Sequence, residues 1–304
     1  MALCPSCANF IVFRYCPDGK SYLLLHKKRD MEKLQGIADT LYIPLVARII
    51  VSKQFPDYFR DEKALELEAN LPAKWQHIML ASREYENMAS VARYYNIDDM
   101  TRRFIARNER CNIIHLGAGL DTSYHRIKPT SAKFYEVDLP DVIALRRELL
   151  GETDGEILLG EDMFEIEWAE KIDCSLPTLF VASGVFQYFP HDRLTDFVQK
   201  LGKNFQKAEL IFDATNQVGI HVANFYVRRL GNRNAPMPFY VNRARTFARE
   251  TGTTLLESRP FFTETRRILG HRLTFFTRMA MLIGDKFKMS KLIHLRLGQE
   301  EMNT

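Results

Sequence analysis

No apolar run in this chain approaches the roughly 20 residues that a membrane-crossing helix needs. The most apolar early stretch, Leu41 to Val51, is interrupted by Pro44 and Arg48. The first residues also lack the basic-then-apolar order of a secretory signal, so the expected location is the cytoplasm. Cysteine is sparse, with 5 in 304 residues; Cys4, Cys7 and Cys16 lie near the start and Cys111 and Cys174 far downstream, which excludes a disulfide framework. Cys4, Cys7, Cys16 and His26 can be written as a four-ligand zinc site of irregular spacing, but no second tight pair accompanies the C-x-x-C, so free thiols are the simpler reading and no metal is expected. Tandem repeats and low-complexity tracts are absent as well. Charge of one sign does not dominate, the formal net charge being +4. Its distribution is uneven: from Tyr226 to Thr304 there are 15 Lys and Arg against 6 Asp and Glu. A basic final third can face an anionic substrate, RNA included, although such charges more often form a solvated helix face, and nucleic acid is not the expected partner.

What is present is an ordinary globular composition, 46% hydrophobic, long enough for one large α/β domain or two small ones. From Met31 to about Arg110 no alternation of period two is evident. Leu41, Leu45, Ile49 and Ile50 recur at helical spacing, as do Met88, Val91, Ala92 and Tyr95, so the first 110 residues read as a mostly helical segment. Beyond it, short β-rich runs alternate with amphipathic helices, the order that builds βαβ units and a mostly parallel sheet. Strands are expected at Asn112–Leu116, Lys133–Val137, Glu156–Leu159, Thr178–Ser183 and Glu209–Asp213, and more weakly at Thr253–Ser258 and Lys291–Leu297. Leu194, Phe197, Val198, Leu201 and Phe205 mark one helical stripe; Val142, Leu145 and Leu149 mark another behind Pro140 and Asp141. Residues 217–249 and 264–288 return to helical patterns.

The most informative segment is the strand Asn112 to Leu116 running into Gly117-Ala118-Gly119. Glycine removes the Cβ where the chain turns sharply and lies against a ligand. A pyrophosphate-binding turn wants a third glycine or alanine, and Thr122 stands there instead, so a nucleoside suits the turn better than a dinucleotide. The next strand ends in Asp138, 21 positions after Gly117. An acid about 20 residues beyond the turn can accept both hydroxyls of a ribose. Glu136 shares its face of the strand by alternation, and spacing alone does not separate the two. A third strand ends in Gly160-Glu161-Asp162-Met163, where an acid beside an apolar side chain suits an adenine. Gly117, Asp138, Asp162 and Ser183 all fall at the carboxyl ends of expected strands, where ligands bind in open α/β sheets.

At these residues the chain resembles the leucine carboxyl methyltransferase family, in particular its bacterial polyketide-type O-methyltransferases. The resemblance runs from about Leu34 to Ala214. It is carried by Ile113 to Thr122, by Tyr135 to Pro140 with Arg146-Arg147-Glu148-Leu149-Leu150, by Ala182 to Phe189, and by Ala38 to Arg48. It implies a Rossmann-like class I methyltransferase: a seven-stranded, mostly parallel sheet with helices on both faces, a helical segment 1–110 over the cofactor site, a core from 111 to 304, and a helical lid at about 216–250. It also implies S-adenosylmethionine as cofactor, with Gly117, Ala118 and Gly119 beneath it, Asp138 on the ribose, Asp162 and Met163 at the adenine, and Arg93 on the carboxylate. Arginine's planar fork suits that last role. The family usually has glutamate where this chain has Ser183, near the cofactor's cationic end.

Methyl transfer from a sulfonium asks the protein mainly to align the acceptor and exclude water. A carboxylate acceptor is already ionised at neutral pH, whereas a phenol profits from a general base. No His-acid dyad stands out in the sequence, which favours an oxygen methyltransferase acting on a carboxylate, or otherwise a hydroxyl, of a small molecule or protein terminus. Tyr188 is the candidate for contact with the acceptor. Two other readings remain: a catalytically silent nucleotide-binding scaffold, motivated by Ser183, and an RNA-linked methyltransferase using the basic final third.

Overall fold

The structure, a computed structural model, describes residues 41–70, 79, 82–229 and 237–298. Cys4, Cys7, Cys16 and His26 lie outside the described residues. Seven strands are present: β1 (Cys111–Leu116), β2 (Ala132–Asp138), β3 (Glu156–Gly160), β4 (Thr178–Ala182), β5 (Ala208–Thr215), β6 (Thr254–Pro260) and β7 (Ser290–Arg296). They form one sheet in the order β3-β2-β1-β4-β5-β7-β6. The first five are parallel, and β7 runs antiparallel to both β5 and β6. All seven expected strands are therefore found, the two weaker ones at the antiparallel edge.

Among the described residues the helices are α1 over 41–54, α2 (Glu62–Leu67), α3 (Glu84–Ala106), α4 (Ser123–Ile127), α5 (Pro140–Leu150), α6 (His191–Asn204), α7 (Gln217–Arg229), α8 (Ala244–Glu250), α9 (Thr263–Leu269) and α10 (Phe275–Lys286). None is long and apolar enough to cross a membrane. Because successive strand residues point to opposite faces, the sheet feeds two cores. Ile114, Leu116 and Val137 join Phe239, Phe247 and the α6 stripe of Leu194, Phe197, Val198 and Leu201 on one face. Ile113, Phe134 and Val181 join Val51 of α1, Met88, Val91 and Ala92 of α3, and Met281 of α10 on the other.

Two helical expectations need correction. In α5 the buried positions are Val142, Ile143, Arg146 and Leu150, and Leu145 and Leu149 are only partly buried. The inward face is turned because a charged residue, Arg146, is 1% exposed and holds the glycine loop described below. The expected helical run 217–249 is also broken: residues 237–243 are non-helical between α7 and α8. Pro238 accounts for this locally, since it lacks an N–H and fixes φ. The extended piece is pinned by main-chain bonds from Phe239 N to Gln187 O and from Val241 N to Thr215 O.

Candidate functional site

Parallel strands present all their carboxyl ends on one edge, and strand order sets what lies beside what. Reading across that edge gives Asp162 after β3, Asp138 ending β2, Gly117–Gly119 after β1, Ser183–Gly184 after β4 and Asp213 near the end of β5. From β2 to β5 the edge covers three strand spacings, about 14 Å.

The turn after β1 needs its glycines. Gly117 has φ +68, and a Cβ on it would lie 2.6 Å from Val185 Cγ2; Gly119 has φ +51, and a Cβ there would lie 2.9 Å from Leu41 Cδ2. The turn thus abuts the β4 loop on one side and α1 on another. Three buried arginines hold it from below. Arg48 donates to Leu120 O at 2.6 Å and pairs with Asp61 at 2.9 Å. Arg126 pairs with Asp98, Asp61 and Asp121 at 2.7, 3.1 and 3.2 Å. Arg146 donates to Asp121 O at 2.6 Å and to Gly119 O at 3.2 Å. Burial opposes ionisation of Asp121, yet Arg126, His115, Arg48 and Arg146 together hold its carboxyl far below the usual range. With every charge partnered, the loop is a rigid shelf rather than a mobile tip.

Asp138 is brought to that shelf. Its Oδ2 accepts the Gly119 N–H at 2.7 Å and its Oδ1 the Leu139 N–H at 2.8 Å. Burial raises its pKa, against the pull of those two N–H groups. Glu136, the alternative acid, is 0% exposed and is taken up by His115 at 3.0 Å and Arg146 at 3.5 Å. Of the two acids, Asp138 alone reaches the turn. Asp162 is half-exposed; its Oδ1 accepts the Phe164 N–H at 3.0 Å, which leaves Oδ2 facing Arg193 at 3.9 Å. Met163 is 6% exposed in the core and its carbonyl accepts the Trp168 indole N–H.

At the other end, Arg93 reaches from α3 to Asp213, with Nη1 3.4 Å from Oδ2. Asp213 Oδ1 also accepts the Gly184 N–H. Gly184 has φ +73, and a Cβ on it would lie 2.5 Å from Arg93 Nη1, so the guanidinium rests directly on the bare backbone. Two buried polar atoms here, Arg93 Nε and Ser183 Oγ, have no hydrogen-bond partner. Tyr188 follows on a short 3-10 turn, Phe186–Tyr188, and is partly buried.

The model of the leucine carboxyl methyltransferase family matches residues 28–202, more than half of the chain. The chain belongs to this family. Proteins similar to it include the tetracenomycin polyketide synthesis O-methyltransferase TcmP of Streptomyces glaucescens, 27% identical over 183 residues, 60% of this chain and 67% of that protein. Leucine carboxyl methyltransferase 1 of Bos taurus is 22% identical over 201 residues, 53% of this chain and 60% of that protein. Among solved structures, a candidate methyltransferase of Thermobifida fusca superposes with TM-score 0.54 at 14% identity, over 79% of this chain and 90% of that one. The fold is that of the class I methyltransferases.

As a family member, the chain departs from a simple glycine-acid reading in what holds its site. Gly184 and Asp213 were not singled out from sequence. Asp213 stood at the end of an expected strand, the same signal that drew attention to Asp138, and Gly184 directly follows Ser183. The three arginines beneath the loop gave less signal, since Arg48 and Arg126 sit on helices where an arginine normally faces solvent.

For S-adenosylmethionine the residues present fit. One end of the strand edge offers bare backbone with Asp138 beside it, and the other offers Arg93 and Ser183 with unpartnered polar atoms.

Proposed function

We propose that the chain transfers a methyl group from S-adenosylmethionine to an oxygen, in the first instance a carboxylate, of a small molecule or a protein carboxyl terminus. The observation that supports the reading is the Asp138–Gly119 contact at 2.7 Å, which sets a carboxylate, a group able to accept ribose hydroxyls, against the β1 turn. The cofactor, when bound, supplies an electrophilic methyl: the carboxylate oxygen forms a bond to it as the carbon–sulfur bond breaks, and sulfur keeps the electron pair. The protein's own part is placement. Asp138 takes the ribose hydroxyls, Gly117 to Gly119 lie beneath the ligand, Asp162 and Met163 flank the base, and Arg93 and Ser183 face the amino-acid end. In this reading α1 and α3 lie over the cofactor, α7 and α8 form a lid, and Tyr188 borders the acceptor.

A carboxylate needs no general base, and the placement of histidines supports that choice. Four His–acid pairs exist among the described residues, although sequence reading found none. His115–Glu136 is buried within the sheet, while His125–Glu156 and His294–Glu209 involve acids at or near the starts of β3 and β5, the opposite edge from the site. His191–Glu250 lies half-exposed between α6 and α8. The basic final third gives the RNA reading little support, because Arg259, Arg266, Arg267 and Arg272 are each paired with an acid.

The test is incubation with methyl-labelled S-adenosylmethionine and two acceptor sets, aromatic carboxylic acids and peptides ending in leucine. Label that alkali releases as methanol marks a methyl ester, the expected product. Alkali-stable label would overturn the carboxylate assignment, and cofactor binding without turnover on either set would favour the silent scaffold.

A further inference from the structure

The corner where β4 and β5 end holds a positive and a negative group side by side, and neither is fully engaged. Arg93 is 13% exposed and Asp213 10%, yet their contact is 3.4 Å, longer than the 2.7–2.9 Å of a closed charge-assisted pair. The guanidinium lies over the Tyr94 ring at 5.2 Å and against Gly184, and its Nε has no partner. Ser183 Oγ is likewise buried without one. Leaving such atoms unpaired is unfavourable, and a ligand that pairs them removes that cost. Asp213, for its part, accepts one main-chain N–H on Oδ1 and the loose Arg93 contact on Oδ2, and each carboxylate oxygen has a second acceptor position.

Opposite charges with free hydrogen-bonding positions, presented on glycine backbone, complement a zwitterion. We infer that Asp213 binds the ammonium of the cofactor's amino-acid end while Arg93 Nε and Ser183 Oγ take its carboxylate. The negative charge that Ser183 does not bring to this corner then comes from the neighbouring strand. Asp213 also holds Arg93 and the Gly184 N–H in place, so the corner keeps its shape before the ligand arrives. This deepens the cofactor reading above and rests on it.

The test is calorimetric titration with three adenosyl ligands: S-adenosylhomocysteine; its decarboxylated analogue, which keeps the amine; and 5′-methylthioadenosine, which has neither group. On the wild-type protein the decarboxylated analogue should bind roughly 10–100-fold more tightly than 5′-methylthioadenosine, the worth of a hydrogen bond to a charged group. Equal affinities for those two would overturn the inference without any variant being needed. Asp213→Asn should abolish the advantage of both amine-bearing ligands and leave 5′-methylthioadenosine within about twofold, whereas Arg93→Met should weaken S-adenosylhomocysteine and spare the decarboxylated analogue. If Asp213→Asn weakens all three ligands alike, or none, Asp213 is a structural brace and the inference fails. If the wild type binds no adenosyl compound at all, the cofactor reading itself falls, a result distinct from either of those.

Discussion

The Asp138 carboxylate spans two strand ends, accepting the Gly119 N–H at 2.7 Å with one oxygen and the Leu139 N–H at 2.8 Å with the other. One group therefore fixes the shape of the turn and lines the place where a ribose would lie. These two duties separate on substitution. Asp138→Ala leaves the Gly119 N–H without its acceptor and should lower stability by about 1–3 kcal/mol. Asp138→Asn keeps an acceptor oxygen and should cost much less. Urea unfolding of the two variants checks this; equal losses would contradict it.

Gly117 tests how tightly the turn meets the β4 loop. Gly117→Ala imposes a left-handed backbone on an L residue, about 1–2 kcal/mol, and drives a methyl to 2.6 Å from Val185 Cγ2. A second substitution, Val185→Ala, should relieve the packing part and leave the backbone part. In thermal unfolding the double variant should lie between wild type and Gly117→Ala once the separate effect of Val185→Ala is subtracted.

Asp61 makes the buried charge network sensitive to acid. Burial opposes its ionisation, but Arg48, Arg126 and the hydrogen bonds from Thr122 and Ala64 prevail and hold its pKa below the ordinary 3.8. A depressed carboxyl contributes stability that is complete above the unfolded value and drains away as pH falls through the folded one. Asp61→Asn should thus lose about 3–5 kcal/mol at neutral pH, because two guanidiniums lose their shared partner. Its stability should also fall less steeply than wild type below pH 4, which denaturant titrations across pH 2–7 will show.

Lys291 acts at the alkaline end, and there too stability rises with pH. Burial, helped by Lys288, pulls its pKa from 10.5 down to about 8. Its ammonium donates to Asn242 O at 3.2 Å, tying β7 to the extended segment before α8. Between those two pH values the unfolded chain binds the proton more strongly, so this residue makes the fold more stable as pH rises from 8 to 10.5. The stability difference between wild type and Lys291→Met should climb over that window and be flat below it. Parallel curves would refute the assignment.

The sheet could be read in advance because its signals are local: runs such as Leu179–Ala182 and Leu210–Phe212 are continuous and apolar, as fully buried parallel strands require. The contact between Asp138 and the glycine turn was legible for a similar reason, the two being tied by spacing. The inward turn of Arg146 was not legible, because hydrophobic periodicity passes over charged residues. Only the folded chain shows the carbonyls of Gly119 and Asp121 waiting beneath the loop to receive its guanidinium. Asp213 and Gly184 belong to a corner assembled from α3, β4 and β5, 120 positions apart at the widest, and no window along the sequence contains it.

In the proposed function the Gly117–Gly119 turn and Asp138 together hold an adenosine. Titration of S-adenosylhomocysteine into wild type and Asp138→Asn at neutral pH addresses it most directly. One ligand per chain on the wild type, with affinity reduced roughly 10–100-fold in the folded variant, is the predicted result. Undiminished binding by Asp138→Asn would place the nucleoside elsewhere and contradict it.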